Sequence, residues 1–333
     1  MTRPGPPDLL DPATHTWLTR HALPGARLHA VDPLPGGFTN DMALLTAATT
    51  GARGTERYVL RRHRPHGGRV PRNSCAVEAA VLARAAARAV PVTAVVAADP
   101  HGRATGRPTL LYRYVDGLPL SHVLADDPAP GDARALGQAV GEVLARIGWI
   151  TLRGPGGFGD PSLEPDPAAP HPLGDLPGFV DHCLATAHPD GPLSAADADV
   201  LRALAREGRR VLAAVAGERG LVHCDFNPKN VLVARRAGRW EVAAVLDWEL
   251  AFSGSPLFDV GNMLRFAHEY PPAFATGFVE GFRAGHGRLP ADWPLISRTL
   301  DLFALADILT APPDPAYFAR ARTVLHRAAA DRH

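Results

Sequence analysis

Lysine is almost missing from this chain of 333 residues: of its 35 basic side chains, all but Lys229 are arginine. Charge of one sign is missing too, because 35 basic residues face 34 acidic ones. No overall field would draw the chain to nucleic acid or to an anionic membrane, so the expected partner is a small neutral or mildly charged molecule. Cysteine is scarce, and Cys75, Cys183 and Cys224 are odd in number and widely spaced. That suits a reduced compartment better than a disulfide framework, with the cytoplasm as the expected location. No apolar run reaches the ~20 residues of a membrane span, and the opening MTRPGPPDLLDP has no apolar signal-peptide core. What is plentiful is apolar surface, at 46% of residues, enough to bury the core of a two-lobed protein.

In chain order, Asp8 to Ala22 carries apolar residues at mixed helical spacing and predicts a short leading helix. Three β-prone runs follow, Arg27 to Pro33, Met42 to Ala48 and Tyr58 to Arg62. Between the first two lies LPGGFTND, whose glycines permit close backbone approach. The amides of Gly36, Gly37, Phe38, Thr39 and Asn40 could cradle phosphate oxygens, or the segment is an ordinary hairpin loop. Asn73 or Ser74 can cap a helix through CAVEAAVLARAAARA, in which Glu78 could pair with Arg61 or sit as a solvated charge. Two more strands, VPVTAVVAADPHG and RPTLLYRYVDGLPL, lead to a polar YVDGLP that reads as a lobe connection, with Arg113 and Val115 along the expected nucleotide edge. Beyond it the pattern turns helical, beginning with Gly131 to Ile150, whose Leu136, Val140, Val143, Leu144 and Ile147 form one apolar stripe.

The most informative stretch runs from Leu221 to Glu249: LVHCDFNPKN, two apolar runs at Val231 to Val233 and Val242 to Leu246 with ARRAGR between them, and LDWE. A strand pair here would present Asp225, Asn230 and Asp247 at its ends. A base, a neutral oxygen ligand and a second carboxylate are the groups needed to position a hydroxyl and a hard divalent cation beside a nucleotide triphosphate. HCDFNPKN fits H-x-D-x-x-x-x-N, the catalytic-loop pattern of the protein-kinase-like fold. Together with LDWE and GSPLFDVGNMLRF, it resembles the aminoglycoside phosphotransferase family of small-molecule kinases.

The resemblance implies an α+β, two-lobed, protein-kinase-like fold. Residues 1–113 would form a nucleotide lobe built on a small antiparallel sheet, and residues 114–333 a mainly helical lobe carrying the catalytic loop and acceptor pocket. It also implies roles. Asp225 would accept or orient the acceptor's hydroxyl proton, and Asn230 and Asp247 would hold Mg2+ against ATP or GTP. Asp259 would brace the catalytic loop, or cap the helix beginning at Val260, and His223 would be structural rather than a base. Cys224 would pack rather than act as a nucleophile. Two positions depart from the pattern. Arg61, with Arg62 beside it, stands where many kinases carry a phosphate-binding lysine, and Lys229 stands where relatives often carry glycine. Lys229 would help hold the transferred phosphoryl group, or be a solvated charge at the rim.

The acceptor is the least legible part. From Met263 onward seven acidic residues face eight arginines, so no acidic basin for a polycation is visible. Asp301 and Asp307 are the expected acceptor contacts, or are simply helix surface charges. The expected activity is Mg2+-dependent phosphorylation of a small-molecule hydroxyl, on an antibiotic or secondary metabolite. The alternatives are a metabolic kinase acting on an amino alcohol, sugar or nucleoside, and a non-catalytic nucleotide-binding module. A protein kinase fits less well, because LDWE runs directly into GSPLFDVGN without D-F-G or A-P-E segments.

Overall fold

The leading helix starts later than its apolar pattern suggested, because Asp11 caps it: the carboxylate accepts from Thr14 N–H at 2.8 Å, and α1 (Pro12–Trp17) passes into one wider turn, Leu18–Ala22. The computed structural model describes residues 10–34, 40–49, 54–64, 72–166, 175–188, 191–312 and 314–331. Gly36, Gly37, Phe38 and Thr39 therefore lie outside the described residues.

After α1 come β1 (Arg27–Pro33), β2 (Asn40–Ala48), β3 (Thr55–His63), α2 (Cys75–Ala86), β4 (Val95–Asp99) and β5 (Thr109–Arg113). The five strands make one antiparallel sheet in the order β1-β2-β3-β5-β4. Alternation along these strands separates two cores. Ala43, Leu45 and Ala47 of β2, Tyr58 and Leu60 of β3 and Leu111 of β5 pack with Trp17 and Leu18 on the α1 side. Leu110 and Tyr112 of β5 pack with Val77 and Val81 on the α2 side. The same alternation sends the neighbouring arginines to opposite faces. Arg62 reaches Asp11 at 2.8 Å and the Thr105 carbonyl at 2.9 Å, whereas Arg61 and His63 turn toward Glu78 of α2.

Past Arg113 the chain leaves this sheet, and β6 (Leu118–Pro119) pairs instead with β10. The remaining elements are α3 (Leu120–Ala125), α4 (Pro130–Gly148), the short pair β7 (Gly157–Phe158) and β8 (Pro165–Asp166), α5 (Leu176–Ala185), α6 (Ala195–Leu212), β9 (Gly220–Val222), β10 (Val231–Arg236), β11 (Arg239–Val245), β12 (Phe252–Gly254), α7 (Leu257–Leu264), α8 (Pro272–Ala284), α9 (Trp293–Thr310) and α10 (Pro315–Ala330). With its antiparallel sheet and largely helical remainder, the chain has the two-lobed α+β architecture of protein-kinase-like enzymes.

The helical part is anchored by backbone contact between α4 and α8. A Cβ on Gly137 would lie 2.2 Å from the Phe274 carbonyl oxygen, one on Gly141 2.1 Å from that of Phe278, and those on Gly277 and Gly281 2.1 Å from those of Arg134 and Gln138. Two glycines four residues apart on each helix thus let the backbones touch. That contact offsets the ~1 kcal/mol of helix propensity each glycine gives up relative to alanine. The bidentate Arg134–Glu280 pair closes the edge of this seam.

Candidate active site

The sequence expected strands only over the two apolar runs, but β10 and β11 extend to Arg236 and Arg239. The turn contracts to Ala237 and Gly238, with φ of 47° and 79°, the positive values that a two-residue hairpin turn requires. The HCDFNPKN loop, residues 223–230, follows β9 and enters β10, and the LDWE loop leaves β11. Leu246 ties the two loops together: its N–H donates to the Asn230 carbonyl at 2.8 Å, and its own carbonyl lies 2.8 Å from His223 Nε2. Both loops hold a non-glycine residue in the left-handed region, Cys224 at φ 71° and Asp247 at φ 64°. Such conformations cost ~1–3 kcal/mol each and persist where surrounding contacts enforce them.

For Cys224 the enforcing contact is Asp259. This buried carboxylate accepts from the backbone N–H groups of His223 at 2.7 Å and Cys224 at 2.9 Å. Asp259 lies inside α7 and bonds these amides of the loop, and no capping bond to its own helix is seen. Burial pushes its carboxyl up to about 7, although the two amides act in the opposite direction. His223 is fully buried, and its environment fixes its tautomer. Asp225 N–H donates to Nδ1 at 3.2 Å, so the ring proton sits on Nε2 and is donated to Leu246. Burial holds the imidazole neutral, lowering it to about 4, and Trp248 packs on the ring at 4.6 Å. The Cys224 thiol is likewise buried and pushed well above its usual range, leaving no thiolate to act as a nucleophile.

Asp225 is held between two amides. Asn227 donates to Oδ1 and Asn230 to Oδ2, each at 2.7 Å. Burial and then the charge of Asp247 raise its carboxyl to about 6, while the two amides resist the rise. A carboxylate in this state is ionised at neutral pH yet close enough to it to take up a proton. Asn230 spends its amide NH2 on Asp225, at 3.0 Å to the carbonyl and 2.7 Å to the side chain.

On the α2 face of the sheet, Arg61 is buried among carboxylates from two segments. It donates to Glu78 at 2.9 Å and to Asp247 at 3.0 Å, and forms a further short pair with Glu249. Burial alone would favour a neutral guanidine, but the charges of Glu78 and Asp247 prevail and hold it firmly protonated. Tyr112 Oη donates to Glu78 at 2.8 Å, and His63 lies 3.5 Å away, so the expected Arg61–Glu78 pair sits in a larger network.

Glu249 was not among the residues picked out in the sequence. It is 3% exposed, pairs with Arg61 and Arg72, and accepts from Asn40 Nδ2 at 2.9 Å. It therefore links the start of β2, the middle of β3 and the segment before α2 to the LDWE loop. Asn73 strengthens that link. Its N–H donates to the Glu249 carbonyl at 2.6 Å and its side chain to the Ala251 carbonyl at 2.8 Å, which leaves Ser74 to cap α2 through Val77 N–H at 3.3 Å. The available signal was an acidic residue closing the LDWE motif, two residues past Asp247.

Other expectations are redirected. Asp301, expected at the acceptor surface, is 3% exposed, and both of its oxygens accept from Arg265, at 2.6 to 3.1 Å. Its carboxylate is spent on a pair that joins α9 to the end of α7. Asp307, half-buried on α9, does join the site's electrostatics: with Asp247 and Asp225 it favours the charged form of Arg72, against a larger effect of burial. Arg113 is engaged with Glu56 at 2.6 Å on the exposed sheet, and Val115 is half-buried in the connection. Lys229 is exposed, with Nζ 4.7 Å from the centroid of the Tyr317 ring on α10, and is not in contact with the Arg61 network.

No group of three or more His, Cys, Asp or Glu able to hold a metal exists among the described residues. A hard divalent cation shared with a nucleotide needs fewer, because phosphate and water oxygens complete its shell. Oxygen donors on Asn230 and Asp247 suit such an ion, and the mutual repulsion of Asp225 and Asp247 is what it would relieve.

The buried Arg61–Glu78 pair reaches Asp247, next to the loop that carries Asp225 and Asn230, an arrangement of groups suited to phosphoryl transfer. The chain matches the phosphotransferase enzyme family over residues 30–293 and belongs to it. That membership supports phosphotransferase activity on a small molecule. No protein with a curated description is significantly similar in sequence. Among solved structures, a thermostable mutant of aminoglycoside phosphotransferase APH(4)-Ia, in ternary complex with AMP-PNP and hygromycin B, aligns at TM-score 0.66 and 18% identity, over 96% of this chain and 98% of that one. The GDP complex of aminoglycoside 2'-phosphotransferase-IIIa aligns at 0.59 and 15%, over 96% and 98%. Choline kinase LicA from Streptococcus pneumoniae aligns at 0.60 and 13%, over 95% and 97%. At these identities the likeness concerns the fold. No described helix is long and apolar enough to cross a membrane.

Proposed function

We propose that this chain transfers the terminal phosphoryl group of ATP, or of GTP, to a hydroxyl of a small molecule, an antibiotic or other secondary metabolite, in the cytoplasm and with Mg2+. The observation that carries the reading is Asp225, clamped by Asn227 and Asn230 and raised to about 6. Residues 1–113 would serve as the nucleotide lobe and residues 114–333 as the acceptor lobe.

In this reading Asp225 accepts the hydroxyl proton as the acceptor oxygen bonds to the terminal phosphorus and the bridging bond to the nucleoside diphosphate breaks. Asn227 and Asn230 keep both carboxylate oxygens aimed, and Asp259 holds the loop through two amides. Arg61, braced by Glu78, faces the triphosphate, and Asn40 and Arg72 border the same space through Glu249. Asn230 and Asp247 would hold the divalent cation, whose charge offsets that of the transferring phosphate oxygens. His223 supports the loop as a neutral ring.

Incubation with ATP or GTP, Mg2+ and a panel of hydroxylated antibiotics and metabolites, read by mass spectrometry for gain of one phosphate, tests the proposal. Asp225→Asn, which keeps the shape of the side chain but not the base, should abolish product while nucleotide still binds. Binding without turnover on any acceptor would favour a nucleotide-binding module. Phosphorylation of an amino alcohol, sugar or nucleoside alone would favour a metabolic kinase.

A further inference from the structure

Lys229 is the only ammonium side chain in the sequence, and the catalytic loop fixes its position. Its backbone N–H donates to Asn227 Oδ1 at 3.0 Å, and Asn227 Nδ2 donates to Asp225 Oδ1 at 2.7 Å. The side chain is thus rooted two hydrogen bonds from the candidate base. It extends toward α10 on the acceptor side, where Nζ sits over the half-buried Tyr317. No carboxylate pairs with it among the described residues.

The wall behind it is aromatic, and its carboxylates are engaged. Tyr317 packs edge-on to Phe266 at 5.6 Å, and the Arg320 guanidinium lies over Phe266 at 4.1 Å. Asp301 is taken by Arg265, Glu269 by Arg320, and Asp314 by the N–H of Tyr317. Arg265 also lies close enough to Asp225 to lower its carboxyl, which places this wall beside the reacting group. At this wall a polyamine would meet an ammonium, beside carboxylates already engaged by Arg265, Arg320 and the Tyr317 N–H. A planar ring finds Tyr317, and an anionic substituent finds Lys229.

We propose that Lys229 and Tyr317 form an acceptor-recognition element that selects an uncharged or anionic, ring-bearing hydroxyl compound over a polyamine. This rests on the phosphotransferase reading and names the acceptor class for it. It also assigns Lys229 to the acceptor rather than to the nucleotide.

The test is calorimetric titration of the full chain, loaded with AMP-PNP and Mg2+, with 4-nitrophenyl β-glucuronide, 4-nitrophenyl β-glucoside and kanamycin. The two aryl glycosides should bind more tightly than kanamycin, the glucuronide most tightly. Lys229→Ala should weaken the glucuronide ~5-fold, the scale of one exposed ion pair, and barely affect the glucoside. Tyr317→Leu should weaken both aryl compounds, and neither change should alter AMP-PNP affinity by more than about twofold. Tighter binding of kanamycin, binding of none of the three, aryl affinities unmoved by both variants, or a loss of AMP-PNP affinity in Lys229→Ala would each overturn the inference. Failure of the phosphotransferase reading would look different: AMP-PNP itself would not bind, or no acceptor of any charge would gain a phosphate.

Discussion

Replacing Arg61 by methionine keeps a long unbranched side chain but removes the cation shared by Glu78, Asp247 and Glu249. The Glu78 and Glu249 side chains are 2% and 4% exposed, so neither can be rehydrated without opening the contact between α2, β3 and the LDWE loop. Removing one partner of a buried pair costs ~3–5 kcal/mol, because the remaining charge is stranded. Tyr112 and His63 still contact Glu78, and Arg72 and Asn40 still contact Glu249, which argues for the lower end, ~3 kcal/mol. With urea slopes of ~1–3 kcal/mol per M, the midpoint should fall by ~1–3 M at unchanged slope. Arg61→Lys should cost less, because a single ammonium can keep Glu78 but cannot span all three carboxylates. Arg62→Met is the control. It loses Asp11 and the Thr105 carbonyl on the opposite face, so it should lower stability without changing nucleotide affinity. A loss below ~1 kcal/mol for Arg61→Met would refute the claim that the pair is buried and shared. Equal effects of Arg61 and Arg62 on nucleotide affinity would refute the division of faces.

Two further outcomes follow from the geometry. Asp225 must be ionised to act as a base, and burial with Asp247 raises it to about 6, so kcat/KM for nucleotide should fall as pH drops through about 6. The kcat profile, which reports the loaded enzyme, should bend at lower pH because a bound divalent cation favours the carboxylate; coincident limbs would contradict this account. Gly141→Ala gains ~1 kcal/mol of helix propensity but puts a methyl 2.1 Å from the Phe278 carbonyl oxygen, so the clash should win and lower the thermal midpoint. A raised midpoint would show that α4 and α8 separate easily.

What the sequence made legible was local. Alternation placed the strands, the apolar stripe placed α4, and HCDFNPKN with LDWE identified the loops, because each signal lies within a dozen residues. The facing glycines escaped notice because Gly137 and Gly141 take their meaning from Gly277 and Gly281, on a helix more than a hundred residues away. Asp301 was misplaced for the same reason. Read alone it is an acid on a helix, and only the fold brings Arg265 onto both of its oxygens. Whether Arg61 or Arg62 reaches Glu78 and the LDWE loop is a question of strand parity, which the sequence contains but which needs the position of α2 to resolve.

Glu249 has the largest consequence of any residue overlooked in the sequence, because it changes the charge of the candidate site. Glu78, Asp225, Asp247 and Glu249 are four carboxylates, and Arg61 and Arg72 are two guanidiniums, so four minus two leaves two negative charges before Asp307 is counted. A bare nucleotide triphosphate would enter against that charge, whereas a divalent cation balances it. At an effective dielectric constant of 20, one unlike pair 4 Å apart is worth ~4 kcal/mol, and solvent access through the half-exposed Asp247 reduces this. AMP-PNP affinity should therefore drop at least ~10-fold when EDTA replaces Mg2+. Glu249→Gln removes one of the two surplus charges and should narrow that gap. Equal affinity with and without the cation would mean that the carboxylates are already neutralised within the protein, and that the Arg61 and Arg72 pairs alone complete the site.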